Sequence, residues 1–174
     1  DIYRFILVDE YQDTNQIQYM LTKLLAQKYR QLTAVGDASQ AIYGWRGADF
    51  KNLMNLTLDF KDTKIINLEQ NYRSTQIILD AANSVISKNT SHPVLKLFTQ
   101  KQSQDKIKLY EANSEVAEAE FVAQKIKFIQ ANHRIPLKNI AVLYRMNAQS
   151  RVIEEAFLKY GLPYVLIGGT RFYE

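Results

Sequence analysis

The chain has 174 residues, 47% of them hydrophobic, and a formal net charge of +4 at pH 7. This length and apolar content suffice for one sizeable core or two small ones, which excludes a disordered tail. Because cysteine is absent, disulfides, thiol catalysis and Cys-ligated zinc are excluded, and the two histidines, His92 and His133, are too few for a His-rich metal site.

The net charge and the two ends of the chain give only broad indications of the protein's location and partners. No apolar stretch is long enough to cross a bilayer and the start does not resemble a signal peptide, so we expect a cytoplasmic protein with no membrane partner. The chain starts at Asp1 rather than at methionine, and we expect it to be part of a longer protein. Lys and Arg are spread out without a dense run, so charge alone favours an ordinary basic surface over a nucleic-acid partner.

The first third of the sequence predicts a strand, a helix and a second strand. Apolar runs at residues 5–9 and 32–36 predict the buried strands. Asp13, Thr14 or Asn15 can cap the helix between them. Five apolar residues recur at helical spacing and predict its inner face: Ile17, Met20, Leu21, Leu24 and Leu25. Such a crossover favours parallel pairing, with the end of the first strand at the sheet edge where α/β proteins bind ligands.

Further along the chain, helices and strands continue to alternate. Helices are predicted over residues 49–60, 74–88, 114–132 and 150–160, the last closed by Gly161. Short apolar runs predict strands over residues 65–68, 107–110, 140–144 and 164–167. The second of these helices is expected to turn inward Ile77, Ile78, Ala81, Ala82, Val85 and Ile86. Residues 90–106 are polar and predict a surface loop, and the whole pattern predicts an α/β fold with mainly parallel strands and flanking helices.

Two carboxylates, Asp9 and Glu10, stand at the end of the first predicted strand. A strand-end Asp can hold Mg²⁺, and a neighbouring Glu can deprotonate the water that attacks a metal-bound triphosphate. Because neighbouring strand residues point to opposite faces, the backbone must turn at or after Asp9 for both to reach one ligand. A solvated acidic turn is the alternative, and the pair alone favours it. The sequence nowhere reads G-x-x-x-x-G-K-[ST], the loop that cradles phosphates in P-loop enzymes.

Three longer motifs favour the metal-binding interpretation of Asp9 and Glu10 over a solvated acidic turn. Residues 9–15 read DEYQDTN, residues 35–49 read VGDASQAIYGWRGAD and residues 68–75 read LEQNYRST. In this order they resemble the second, third and fourth motifs of superfamily 1 DNA helicases of the UvrD, Rep and PcrA type. Stretches between residues 144 and 173 also resemble the second motor domain of that family. The resemblance therefore covers essentially the whole chain.

The resemblance implies a fold made of parts of two RecA-like (P-loop NTPase) domains. Residues 1–63 would form the C-terminal part of the first motor domain, and residues 64–174 the N-terminal part of the second. ATP would lie between the two domains, and the phosphate-binding loop would lie upstream of Asp1.

The resemblance also implies roles for single residues at the nucleotide. Asp9 would bind Mg²⁺, and Glu10, which would reach the metal through water, would be the general base. Gln40 would sense the γ-phosphate, since an amide can donate to a phosphate oxygen or position the attacking water. Tyr72 would stack on the adenine, and Arg73 would reach the γ-phosphate as an arginine finger.

A second group of residues would contact DNA. Tyr43, Trp45 and Arg46 would couple ATP to single-stranded DNA, because an exposed Trp can stack on any base and Arg can add a phosphate or cation–π contact. Arg145 and Asn147, at the end of a predicted strand, would contact the DNA backbone.

Simpler interpretations stay open at some positions. Asp37 can organise the loop before Gln40 or act as a plain turn residue. Ser150 can be a helix N-cap. Gly168-Gly169 is a turn as readily as the approach to an accessory domain.

The predicted function is that of a fragment of an ATP-dependent DNA helicase. The resemblance implies Mg²⁺-dependent ATP hydrolysis coupled to 3′–5′ translocation on single-stranded DNA and to unwinding at duplex junctions, with repair or replication proteins as partners. Because it has no phosphate loop, we expect the fragment to be inactive alone, and its exposed strand edges to favour self-association. The alternatives are the helicase subunit of a recombination helicase–nuclease and a non-catalytic interaction module that retains the shape of the motor.

Overall fold

The computed structural model describes residues 3–168, and the contacts divide the chain into two compact units. The first unit is Asp1–Ile107 and the second is Lys108–Glu174. Each unit has its own hydrophobic core. Among the described residues, no helix has both the length and the apolar character that crossing a membrane requires.

The first unit opens with the predicted strand, helix and strand. Strand β1 (Ile6–Val8) pairs in parallel with strand β2 (Leu32–Ala34), and helix α1 (Gln16–Ala26) connects them. In the register, Leu7 lies opposite Thr33. This confirms the predicted crossover and puts the residues after β1 at the carboxyl edge of the sheet. The prediction that both strands are buried is wrong, because Leu7 is 77% exposed and no residue of β1 or β2 is fully buried.

A capping box starts α1. The N–H of Gln18 donates to Asn15 Oδ1 at 2.9 Å, and the N–H of Asn15 donates to Gln18 Oε1 at 2.9 Å. Two backbone donors that the first helical turn leaves open are thereby satisfied. Of the three residues predicted to cap this helix, Asn15 is the N-cap.

The burial of α1 corrects one prediction. The five residues predicted to face inward are all exposed: Ile17, Met20, Leu21, Leu24 and Leu25. Tyr19, Thr22 and Ala26 are buried instead. Tyr19 packs with Tyr11 and with Leu56 of helix α2 (Lys51–Asp59), and these three are the centre of the first core. Periodicity identifies an apolar stripe, but the neighbouring elements decide which stripe is covered.

The rest of the first unit contains one further helix. Helix α3 (Gln76–Ile86) confirms the predicted helix, but its buried residue is Leu79. Ile77, Ile78 and Val85 are exposed, so the predicted inward face is wrong. Residues 90–106 form the predicted loop, in which Phe98 makes an isolated parallel bridge with Gln70.

Two helices form the core of the second unit. Helix α4 (Glu115–His133) packs against helix α5 (Ala148–Lys159). The Oγ of Ser114 caps α4 by accepting the N–H of Ala117 at 3.2 Å. The buried residues of this core are Ala119, Ala123, Ile126, Ala156, Phe157 and Leu162.

Helix α5 ends at the predicted glycine but starts earlier than predicted. Gly161 has φ 63°, its N–H donates to Leu158 O at 3.1 Å, and the N–H of Leu162 donates to Phe157 O at 2.8 Å. This is the Schellman pattern, which favours glycine at the left-handed position. At the other end Asn147 precedes the first helical residue, so Ser150 lies inside the first turn and is not the N-cap.

Four predicted strands are not formed. Residues 65–68, 107–110, 140–144 and 164–167 are not in a strand in the part of the chain that the structure describes. A segment forms a strand only where the backbone of a neighbouring segment pairs with its N–H and C=O groups. An apolar run does not specify which segment that is. Within residues 3–168 the sheet of β1 and β2 is the one sheet, and the fold is mixed α/β with parallel pairing.

Candidate functional site

The acidic pair lies on a sharp backbone turn directly after β1. Glu10 has φ 50° and ψ 44°, in the left-handed region that residues other than glycine rarely adopt. Its N–H donates to Asp9 Oδ1 at 2.9 Å, and both residues are exposed. The turn predicted at or after Asp9 is therefore present, and both carboxylates are open to a ligand.

Gln12 connects this acidic turn (residues 9–14) to the loop that follows β2. Its side chain is 1% exposed. The Nε2 of Gln12 donates to Glu10 Oε2 at 2.8 Å, and its Oε1 accepts the N–H of Asp37 at 3.1 Å. Both ends of the buried amide are thus paired, as burial of a polar group requires. Sequence reasoning missed Gln12, because a glutamine in a polar motif reads as a surface residue.

Asp37 continues the connection as far as Gln40. Its Oδ1 accepts the N–H of Ser39 at 2.9 Å, and its Oδ2 accepts the Gln40 Nε2–H at 3.0 Å. Asp37 therefore organises this loop, which was one of its two predicted interpretations. A hydrogen-bonded row runs from Glu10 through Gln12 and Asp37 to Gln40, and we call it the Glu10–Gln40 row.

Gly36 makes the close approach beneath this row possible. A Cβ at this position would lie 2.8 Å from Gln12 Oε1 and 3.2 Å from the nitrogen of Tyr11. The N–H of Tyr11 donates to Val35 O at 2.9 Å, which holds the acidic turn against the end of β2. A glycine at the last position of the predicted strand over residues 32–36 was the available sequence signal for this contact.

The carboxylates of the acidic turn fit a magnesium nucleotide. Asp9, Glu10, Asp13 and Thr14 line an open depression of about 390 Å³, together with residues of β1 and α1 that include Ile6, Val8, Leu21 and Leu25. Oδ1 of Asp13 is buried without a hydrogen-bond partner in the described part of the chain. The described residues contain no group of three or more His, Cys, Asp or Glu side chains that could hold a metal alone. Mg²⁺ usually takes one or two protein carboxylates and completes its shell with water and phosphate oxygens, so this donor set fits.

The predicted DNA-contacting residues of the first unit lie together. The guanidinium carbon of Arg46 is 4.4 Å from the ring centroid of Trp45 and 5.4 Å from that of Tyr43. Trp45 is 74% exposed, so its ring is available for stacking. Gly47, with φ 83°, ends the short turn that carries Trp45. We call residues 43–47 the aromatic segment.

Tyr72 and Arg73 lie on a separate turn of the first unit. Asn71 Oδ1 accepts the N–H of Arg73 at 2.9 Å and that of Ser74 at 2.7 Å, while Lys101 Nζ donates to Arg73 O at 3.0 Å. Tyr72 is 74% exposed. Within residues 3–168, no hydrogen bond or ion pair links this turn to the acidic turn.

Arg145 and Asn147 lie in the second unit, in the turn before α5. The predicted strand before them is absent, so they do not lie at a strand end. The backbone N–H groups of Arg145 and Met146 both donate to Gln149 Oε1, at 3.0 and 2.9 Å. Arg145 and Asn147 are exposed. Gly168 has φ 82°, and the residues from Gly169 onward lie outside the described part of the chain.

Three ionisable side chains, Tyr19, Lys23 and Asp59, connect α1 to α2. The hydroxyl of Tyr19 donates to Asp59 Oδ2, and Lys23 Nζ lies 2.7 Å from the same oxygen. Burial raises the pKa of Tyr19 above its ordinary value of 10.0, and the hydrogen bond to Asp59 raises it further. Lys23, and then Tyr19, hold the pKa of Asp59 below its ordinary value. Burial also raises the pKa of Tyr11, against the opposing effect of the Thr22 hydroxyl.

Two family descriptions match the chain, and together they cover nearly all of it. Residues 1–61 match "UvrD/REP helicase N-terminal domain". Residues 66–174 match "UvrD-like helicase C-terminal domain".

Similar curated proteins are helicases of staphylococci. "ATP-dependent DNA helicase PcrA" of Staphylococcus aureus (strain NCTC 8325 / PS 47) is 49% identical over 172 residues, which is 99% of this chain and 23% of that protein. The protein of the same name from Staphylococcus epidermidis (strain ATCC 12228 / FDA PCI 1200) is 49% identical over 172 residues, 99% of this chain and 24% of the relative. The chain thus spans about a quarter of the length of the relatives it matches.

Proposed function

The chain belongs to the UvrD-like helicase family, and we propose that it forms part of the motor of an ATP-dependent DNA helicase. The full protein would couple Mg-ATP hydrolysis to 3′–5′ movement on single-stranded DNA and to unwinding at duplex junctions, in repair or replication. Residues 1–63 and 64–174 would belong to two RecA-like domains. The family matches, which change over between residues 61 and 66, support this division, whereas the compact units change over at residue 107.

The observation that carries the proposal is the Glu10–Gln40 row. It joins a carboxylate that can act as a base to an amide that can meet a phosphate oxygen, through one buried amide and one carboxylate. Asp9 would hold Mg²⁺, which would neutralise charge on the phosphates of bound ATP. Glu10 takes the proton of the attacking water, and Gln40 contacts the γ-phosphate. A water or phosphate that moves the side chain of Gln40 would therefore also shift the side chain of Glu10, because the hydrogen bonds of the row connect the two.

Arg73 and Tyr72 supply the contacts from the second motor domain. The Asn71 and Lys101 hydrogen bonds fix the backbone of this turn, and no hydrogen bond or ion pair holds the exposed guanidinium within residues 3–168. Arg73 stabilises charge on the γ-phosphate during transfer, and Tyr72 stacks on the adenine. Among the described residues, no hydrogen bond or ion pair ties the turn of Tyr72 and Arg73 to the acidic turn. A domain movement could therefore bring Arg73 to the nucleotide.

The aromatic segment binds single-stranded DNA. Stacking of a base on an exposed aromatic ring contributes ~1 to 3 kcal/mol and tolerates any sequence. Arg46 lies over both rings, so its charge reaches a phosphate beside the stacked base. Arg145 and Asn147 would add backbone contacts from the second unit.

ATP turnover by the full-length protein tests the function. We expect Mg²⁺-dependent hydrolysis that single-stranded DNA stimulates. Glu10→Gln keeps the size of the side chain but removes the base, so kcat should fall by ~10² to 10⁴ while ATP still binds. Glu111→Gln, which removes an exposed carboxylate of the second unit, is the control and should keep wild-type turnover. Wild-type turnover in Glu10→Gln, or no effect of DNA on the wild-type protein, would contradict the proposal.

A further inference from the structure

The acidic turn and the aromatic segment are joined through one backbone carbonyl. Thr14, the last residue of the acidic turn, offers its carbonyl oxygen to two donors. The N–H of Asp49 donates to it at 3.0 Å, and Asn52 Nδ2 donates to it at 2.9 Å. Next to this contact, Asn15 and Ala48 form an isolated antiparallel bridge. Ala48 and Asp49, which follow the aromatic segment, are therefore bonded to the end of the acidic turn.

Asn52 is the side chain that makes this fastening rigid. It lies in the first turn of α2 and is 1% exposed, among the largest fully buried side chains of the described residues. Its Nδ2 also lies 3.4 Å from Thr14 Oγ1. A buried amide left without its acceptor costs far more free energy than a solvated one, so Asn52 and Thr14 must move together.

The connection continues in both directions from Asn52. On one side, the hydroxyl of Thr14 donates to Tyr11 O at 2.7 Å, which ties it to the short turn directly after Glu10. On the other side, the N–H of Asn52 donates to Asp49 O at 3.0 Å, and Asp49 is three residues from Arg46. Every step is a hydrogen bond or a few covalent bonds, so a displacement at Glu10 has a short physical route to Trp45.

We propose that Asn52 is a positioning residue that couples the acidic turn to the aromatic segment. It touches neither nucleotide nor DNA. It carries a shift of Thr14, made when the nucleotide changes state, to Asp49 and so to the ring of Trp45. The inference rests on the proposed function, since it assigns ATP to the acidic turn and DNA to the aromatic segment.

Asn52→Ala in the full-length protein tests this coupling. The quantity measured is the ratio of kcat with saturating single-stranded DNA to kcat without DNA. We expect the ratio to fall about fivefold or more, since about fivefold is the lower end of the usual range for energetic coupling between two sites. The KM for ATP should change far less than this ratio. Asn55→Ala is the matched control, because Asn55 is on the same helix and its side chain makes no hydrogen bond among residues 3–168.

Two further readouts separate coupling from folding. Asn52→Asp keeps the shape of the side chain but places an oxygen where the donor was, so it should lower the ratio as well. Thermal unfolding of each variant is followed alongside. If both Asn52 variants fail to fold while Asn55→Ala folds, Asn52 is purely structural and the proposal is overturned. A wild-type ratio in folded Asn52→Ala overturns it too and leaves the proposed function intact, whereas absence of DNA stimulation in the wild-type protein overturns both.

Discussion

Substitution of Gly36 by alanine tests the close approach that supports the acidic turn. The new Cβ would lie 2.8 Å from Gln12 Oε1, 3.2 Å from the nitrogen of Tyr11 and 3.3 Å from that of Gln12. The nitrogen of Tyr11 is held by its 2.9 Å hydrogen bond to Val35 O, so the Gln12 amide has to move. That movement breaks the bonds from Gln12 to Glu10 and to Asp37.

The cost follows from two contributions. Overpacking a tight site costs ~1 to 3 kcal/mol. Loss of the acceptor for the part-buried N–H of Asp37 adds ~1 to 3 kcal/mol, whereas Glu10 is exposed and regains water. We therefore expect Gly36→Ala to destabilise the first unit by about 2 to 6 kcal/mol.

Amide hydrogen exchange in β1 and β2 of the full-length protein measures this loss locally. A destabilisation of 2 kcal/mol or more should speed exchange about 30-fold or more. Gly44→Ala is the matched control for stability, because among the described residues no atom beyond its two chain neighbours lies within 4 Å of its added Cβ. Equal protection of these amides in the two variants would refute the reasoning that Gly36 is required by packing.

Three further predictions concern other parts of the first unit. Trp45→Ala in the full-length protein should weaken single-strand binding by ~1 to 3 kcal/mol in a fluorescence titration with labelled DNA, and undiminished binding and unwinding would remove its stacking role. Arg73→Lys should leave ATP binding but lower turnover by ~10³ or more, since lysine lacks the planar fork that meets phosphate oxygens; near-wild-type kcat would exclude an arginine finger. Tyr19 ionises less readily folded than unfolded, so its contribution to stability is complete below its ordinary pKa of 10.0 and is lost as pH rises above it. Urea midpoints should therefore fall above pH 10, and less steeply in Tyr19→Phe; identical slopes would contradict the raised pKa of Tyr19.

Local sequence rules predicted the elements that depend on nearby residues. The cap of α1 at Asn15, one of three predicted candidates, and Gly161 after α5 each act within a few residues, and both are present. The parallel pairing of β1 and β2 was predictable because a short helical crossover leaves little other choice. A backbone turn at or after Asp9 was predicted because two adjacent carboxylates must face one ligand, and the structure has this turn at Glu10.

The elements that depend on distant neighbours were not predictable in the same way. The apolar run at residues 140–144 is as suited to a strand as β1, yet no neighbour pairs with it among the described residues. The stripe of α1 around Leu21 is apolar but exposed, because Tyr19 on another face meets the core. Gln12 and Asn52 escaped notice since neither amide lies on an apolar periodicity, and their partners are 25 and 38 residues away in sequence.

A double-mutant cycle between Gln12 and Gln40 tests most directly whether the Glu10–Gln40 row acts as one unit in ATP turnover. Gln12→Leu, Gln40→Leu and the double variant of the full-length protein are compared by kcat with saturating single-stranded DNA. Because both amides act through Asp37, we expect the double variant to be little worse than the worse single variant, with a coupling of at least ~1 kcal/mol. Fully additive losses would show that the two amides act independently and would contradict this account.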